Sequence, residues 1–238
     1  LELLHPPSPG GGPVRSTGQV LVPADAQFAV VSDIDDTVVR SSATNVLKMA
    51  WIVLLNNAHT RLPFEGVNAF YEALQRGAEG RDLNPIFYVS SSPWNIYDML
   101  EDFLNVHGVP AGPLFLKDWS PFVLGKHRAH KLGIIRRLLR TYPDLPFVLI
   151  GDSGEEDPEI YLQTVREHSG RIRAIYIRDV TSAERDAEVQ AIAREARSLG
   201  TEMTPVTHTA AAAEHAVSIG LIAPDAVKEI RARSSTTA

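Results

Sequence analysis

Phe28-Ala29-Val30-Val31-Ser32-Asp33-Ile34-Asp35-Asp36-Thr37 is the stretch from which the fold of this chain can be read. Its apolar run, Phe28 to Val31, is bounded by polar residues and predicts a short buried strand. A strand that ends in alternating carboxylates delivers acidic side chains to the C-terminal edge of its sheet. In open α/β sheets that edge is where ligands bind. Asp33 and Asp35 are two positions apart, so their side chains leave the strand on the same face. Carboxylates about 3–4 Å apart repel unless a cation or a shared proton lies between them. The same residues also fit an acidic turn in which Asp36-Thr37 caps a helix.

Two further strand ends carry the reading outward. Ile86-Phe87-Tyr88-Val89 predicts a buried strand ending in Ser90-Ser91-Ser92-Pro93. Phe147-Val148-Leu149-Ile150 predicts another, ending in Gly151-Asp152-Ser153-Gly154-Glu155-Glu156-Asp157. Lys131 stands between them, at the start of an amphipathic helix. Three strands therefore bring carboxylates or hydroxyls to one edge, and a lysine precedes the third.

The rest of the chain alternates in the same way. Strands are expected at 28–32, 85–90, 112–116, 146–151, 172–177 and 202–206. Helices are expected at 43–57, 66–77, 94–107, 128–140, 156–168, 182–198, 208–219 and 224–233. This alternation predicts an α/β fold, a Rossmann-like parallel sheet with helices on both faces. Residues 1–17, with Pro6-Pro7-Ser8-Pro9-Gly10-Gly11-Gly12-Pro13, have the composition of a flexible linker. Gly18 to Pro23 fits an edge strand closed by proline. The folded domain is expected over 18–233, with 234–238 a disordered tail.

Composition narrows the function. The chain has 238 residues, enough for one α/β domain, and 44% of them are apolar. The net charge of −6 gives no global attraction to nucleic acid, which is disfavoured as a partner. There are no cysteines, which excludes disulfides, thiol nucleophiles and thiolate metal sites. No run approaches the ~20 apolar residues of a membrane span. The N-terminus lacks the basic and apolar pattern of a signal peptide. The first residue is Leu, so an upstream segment is expected. The expected compartment is the cytoplasm or a membrane periphery.

The four strand and helix signals, in their order, resemble the haloacid dehalogenase superfamily of phosphohydrolases. That superfamily combines Asp-x-Asp-x-Thr, a strand-terminal Ser or Thr, a lysine, and Gly-Asp followed by a further acid. A closer resemblance covers roughly residues 28–180. Ser32-Asp33-Ile34-Asp35-Asp36-Thr37, Tyr88-Val89-Ser90-Ser91-Ser92-Pro93-Trp94, His130-Lys131-Leu132 and the run from Ile150 to Glu159 resemble the catalytic domain of actin-patch-associated phosphatidate phosphatases. Those are magnesium-dependent enzymes that hydrolyse phosphatidate to diacylglycerol.

The resemblance implies a role for each residue. Asp33 would be the nucleophile, forming an aspartyl-phosphate. Asp35 would be the general acid and then the base, and would lend its backbone carbonyl to Mg²⁺. Asp33, Asp152 and Asp157 would complete the metal site. Asp157 fits the family's longer spacing better than Glu156 does. Ser90 would bind a phosphoryl oxygen, with Ser91 and Ser92 as near-equal candidates, and Thr37 and His130 would help bind substrate. Lys131 would set an ammonium against Asp33, and lies 21 positions before Asp152; Lys126 is its alternative.

The resemblance also implies a cap after the first strand, here about 38–65 and fewer than 30 residues long. A small cap leaves the site open, which suits a substrate held in a membrane. The apolar run Val46 to Leu55 within it predicts a helix that is buried or touches lipid. Lys126, Arg128, Arg136 and Arg137 could attract anionic headgroups at about 1 kcal/mol each, which implies peripheral membrane contact. The expected substrate is a phospholipid or another phosphomonoester. The competing expectations are a soluble phosphomonoester, a nucleic-acid end, or a lipid-binding module without turnover.

Overall fold

The computed structural model describes residues 2–3, 14–15, 22–34, 65–117 and 127–235. A short antiparallel ladder pairs β1 (Glu2–Leu3) with β2 (Val14–Arg15), inside the stretch read as linker. The main body follows as β3 (Ala29–Ser32), α1 (Val67–Arg76), β4 (Ile86–Pro93), a 3-10 turn (Trp94–Ile96), α2 (Tyr97–Val106) and β5 (Leu114–Lys117). It continues with α3 (His127–Thr141), β6 (Phe147–Asp152), α4 (Asp157–Glu167), β7 (Ile172–Arg178), α5 (Ala183–Ser198), β8 (Glu202–Val206), α6 (Thr209–Ser218) and α7 (Ala226–Ser235).

Six strands form one parallel sheet in the order β5-β4-β3-β6-β7-β8. Its core follows from the two-residue period of a strand. Val30, Ile34, Ile86, Tyr88, Val148, Ile150, Ala174 and Tyr176 face one layer of helices, α1, α2, α6 and α7. Ala29, Val31, Phe87, Val89, Phe147, Leu149, Ile175 and Ile177 face the other, α3, α4 and α5. Covered on both sides, β3 and β6 are apolar at successive positions, as a buried parallel strand requires. Each buried Val, Leu or Ile contributes ~1.5–3 kcal/mol. Asn84 fixes the start of β3. Its Oδ1 accepts from the Gln27 and Phe28 amides at 2.8 and 3.2 Å, and its Nδ2 donates to Leu74 O at 2.9 Å.

The topology positions the site. From β3 the chain moves outward through β4 to β5, then returns to β6 on the other side and proceeds to β8. The direction reverses between β3 and β6, and such a switch point leaves a crevice at the C-terminal ends of the two strands. The Asp33 amide donates to Ile150 O at 2.9 Å and closes that seam.

Three boundaries differ from expectation. β4 runs on to Pro93, because pairing with β5 resumes at Pro93, opposite Lys117, after a register shift that spans the three serines. The helix expected from residue 94 begins as a 3-10 turn behind Pro93. The terminal helix extends through Ser235, two residues into the expected tail, and Ser234 Oγ donates to Ile230 O at 2.9 Å. The expected edge strand at 18–23 falls mostly outside the described residues, as do the expected helix 43–57 and all of the expected cap except Glu65. Among the described residues no helix is long and apolar enough to cross a membrane.

Candidate active site

Asp33 follows β3 directly and is completely buried. By strand alternation it shares the face of Ala29 and Val31, the side covered by α3 and α4. Lys131 lies on the first turns of α3, because Leu132, Ile135 and Leu139 hold that helix against the sheet. Its Nζ donates to Asp33 Oδ1 at 2.9 Å and to Asp157 Oδ1, and lies 3.5 Å from Glu155 Oε2.

Asp152 ends β6, and Asp157 opens α4 after a four-residue loop. Asp152 Oδ1 accepts from the amides of Gly154 and Glu155 at 2.7 and 3.0 Å, which folds the loop back over the strand end. Asp157 Oδ2 accepts from the Asp152 amide at 3.2 Å. That approach requires glycine at 151: a Cβ there would stand 2.1 Å from Asp157 Oδ2. Asp157 is fully buried, whereas Glu156, the cap residue just before α4, is exposed.

Asp33, Asp152 and Asp157 form a buried cluster in which one carboxylate oxygen from each lies within 4.8 Å of the others. Crowding these buried acids around one ammonium perturbs Asp152, Asp157 and Lys131. Burial raises the Asp152 carboxyl to about 8, the Asp157 charge adds to that, and Lys131 opposes it. Asp157 is also raised, first by burial and against the pull of Lys131. Lys131 is held well above the ordinary lysine range: burial lowers it, but Asp157 and Asp33 outweigh burial. With a single ammonium beside them, Asp152 and Asp157 both resist ionisation, so this pocket favours additional positive charge.

The donor set fits a hard divalent cation. Oxygens bound to one octahedral magnesium lie at most roughly 4.2 Å apart, and those of the cluster lie within 4.8 Å of one another. The described residues add no histidine to it. The acidic triad can therefore bind a metal ion.

The serines behave differently from one another. Ser90 is fully buried, and its Oγ accepts from the Ser92 amide at 2.9 Å. Ser91 Oγ is buried with no hydrogen-bond partner among the described residues. His130 is half-buried beside Lys131. Asp35, Thr37 and Lys126 lie outside the described residues.

Two features have no counterpart in the sequence motifs. Ser32 Oγ donates to Asp33 O at 2.6 Å and lies 2.6 Å from Tyr71 Oη, tying the residue before Asp33 to α1. The basic helix α3 uses its charge locally. Arg136 Nε donates to Glu167 at 2.7 Å, Arg137 lies over the Phe115 ring at 5.1 Å, and Arg128 donates to Gln163 at 3.0 Å.

Comparison with known proteins agrees with this geometry. The family model described as "Phosphatidate phosphatase APP1, catalytic domain" matches residues 28–179. Phosphatidate phosphatase APP1 of Saccharomyces cerevisiae is 30% identical over 155 residues, 63% of this chain and 26% of that protein. An uncharacterized protein of Schizosaccharomyces pombe is 29% identical over 161 residues, 65% of this chain and 26% of that protein. The matched region thus spans about a quarter of each of these longer relatives, and includes every strand from β3 to β7.

Proposed function

The chain belongs to the phosphatidate phosphatase APP1 catalytic-domain family, and from that premise we propose that it is a Mg²⁺-dependent phosphomonoester hydrolase of haloacid dehalogenase type. Its proposed substrate is phosphatidate, and its products are diacylglycerol and phosphate. The observation that carries this reading is the cluster of Asp33, Asp152 and Asp157 around Lys131 at the sheet's switch point. Asp33, Asp152 and Asp157 would hold the magnesium ion, which would supply positive charge to offset the phosphoryl oxygens and the crowded carboxylates.

Asp33 attacks phosphorus, the bond from phosphorus to the glycerol oxygen breaks, and an aspartyl-phosphate forms. Asp35 gives its proton to the departing alkoxide. It then takes a proton from the water that cleaves the acyl-phosphate and regenerates Asp33. Lys131, 2.9 Å from Asp33, orients that carboxylate and faces the transferring group. Ser91 is the hydroxyl best available to a phosphoryl oxygen, because its Oγ has no partner among the described residues while Ser90 Oγ holds the Ser92 amide. Thr37 and His130 complete substrate binding in this reading.

A second reading keeps the chemistry but takes a soluble phosphomonoester. The local pairing of Arg136 with Glu167 favours it, since that charge is not available to an anionic surface. Phosphate release from phosphatidate in mixed micelles, compared with a panel of soluble phosphomonoesters, separates the two. Preference for phosphatidate by about tenfold or more supports the lipid reading. Brisk turnover of a soluble ester with none of phosphatidate transfers the assignment to the second.

A further inference from the structure

The loop that carries the acidic cluster is fastened from outside the family-matched region. The match ends at residue 179, and α5 begins at Ala183. From the first turn of α5, Arg185 reaches back to both ends of the loop between β6 and α4. Its Nε donates to Ser153 O at 3.0 Å and its Nη2 to Glu155 O at 3.1 Å. Its fork also grips Glu159 on α4, Nη1 to Oε1 at 2.7 Å and Nη2 to Oε2 at 2.9 Å. Glu188, one turn along α5, accepts from Nη1 at 2.9 Å and steadies the guanidinium. A second tether lies alongside. Ser153 Oγ accepts from the Val180 amide at 3.0 Å and lies 2.8 Å from Thr181 Oγ1.

These contacts surround the segment that sets Asp152 against Asp157. Asp152 Oδ1 holds the amides of Gly154 and Glu155, the same short loop whose carbonyls Arg185 holds. The loop and the start of α4 carry Glu155, Glu156, Asp157 and Glu159 close together, and their mutual repulsion pushes the loop open. A planar guanidinium is suited to oppose it, because it spans two carbonyls and a carboxylate at once, which an ammonium cannot do.

We infer that Arg185 is a positioning residue that pre-shapes the 153–157 loop so that Asp152 and Asp157 present their carboxylates to the cation together. This rests on the reading of those carboxylates as metal-binding. Arg185 acts through the loop and touches no reacting atom. Partners of this kind, one shell beyond the ligands, typically change metal affinity by 10- to 100-fold.

The test uses the full chain, treated with chelator and then titrated with Mg²⁺ in a calorimeter, alongside hydrogen exchange of the Gly154 and Glu155 amides. Arg185→Gln is expected to weaken Mg²⁺ binding by 10- to 100-fold and to speed exchange at those amides, with exchange in α2 and β5 unchanged. Turnover at saturating Mg²⁺ should stay near wild type while the half-saturating concentration rises, a split that general loss of structure would not give. Arg185→Lys should recover only part of the affinity. Glu159→Gln, which keeps the arginine, should show a smaller shift in the same direction. Wild-type Mg²⁺ affinity and wild-type exchange in Arg185→Gln overturn the inference. If the wild-type protein takes up no Mg²⁺ but Arg185→Gln still loosens the loop, the metal reading fails and the tether stands.

Discussion

Replacing Asp152 by Asn should make the metal-free protein more stable. A buried carboxyl raised from 3.8 to about 8 resists ionisation in the folded state. The sign follows from linkage. Below about 3.8 the group is protonated in both the folded and the unfolded chain and costs nothing. As pH rises, the unfolded chain releases the proton first, and the fold loses ~1.4 kcal/mol per unit until the folded value is passed. At pH 7 the accumulated cost reaches a ceiling of about 4 kcal/mol, reduced by any relaxation of the site. Asn keeps an oxygen for the Gly154 and Glu155 amides but carries no titrating proton.

In chelator at pH 7 the variant should therefore melt above wild type, by up to about 8–16 °C at 2–4 °C per kcal/mol for a domain of this size. At pH 4 the two should coincide. Added Mg²⁺ should narrow the gap, because only wild type gains ~2.7 kcal/mol at a hundredfold excess over its Kd. Thermal unfolding by circular dichroism, with and without Mg²⁺ at both pH values, measures all four states. An Asp152→Asn protein no more stable than wild type in chelator at pH 7 would refute the idea that the acids are crowded for a cation.

Two further sets of substitutions probe the rest of the pocket. Lys131→Met leaves Asp33 and Asp157 buried without their ammonium. It should cost ~3–5 kcal/mol in chelator, seen as a lowered melting temperature that Mg²⁺ partly restores. Ser91→Ala should leave stability within about 0.5 kcal/mol of wild type but lower kcat/KM by about 10- to 100-fold, the worth of a hydrogen bond to a charged group. Ser90→Ala should instead cost ~1–2 kcal/mol of stability, because the Ser92 amide loses its acceptor. Chemical denaturation and steady-state kinetics on both variants distinguish the two serines.

Much of this fold is legible because each central strand is an uninterrupted apolar run. Val30-Val31 and Val148-Leu149 are buried on both faces, so no helical periodicity competes with the reading. The residues of the cluster are legible for a related reason. Asp33 and Asp152 stand at strand ends, Asp157 opens its helix and Lys131 lies close to the start of its own, where the topology has little choice about direction. What stays hidden are contacts made across long separations. Ser32 meets Tyr71 and Ser153 meets Arg185 with no motif to announce either pairing. The basic run on α3 shows the opposite failure. Sequence counts its charges, but only the fold reveals that Arg136 already faces Glu167 on the neighbouring helix.

Phosphate release by wild type and by Asp33→Asn, each assayed on phosphatidate with Mg²⁺ and again with chelator, tests the central claim most directly. Wild type should turn over only with Mg²⁺. Asp33→Asn should retain its circular dichroism spectrum and lose turnover by several orders of magnitude, as removal of a nucleophile requires. A correctly folded Asp33→Asn protein that hydrolyses phosphatidate at the wild-type rate would contradict the account.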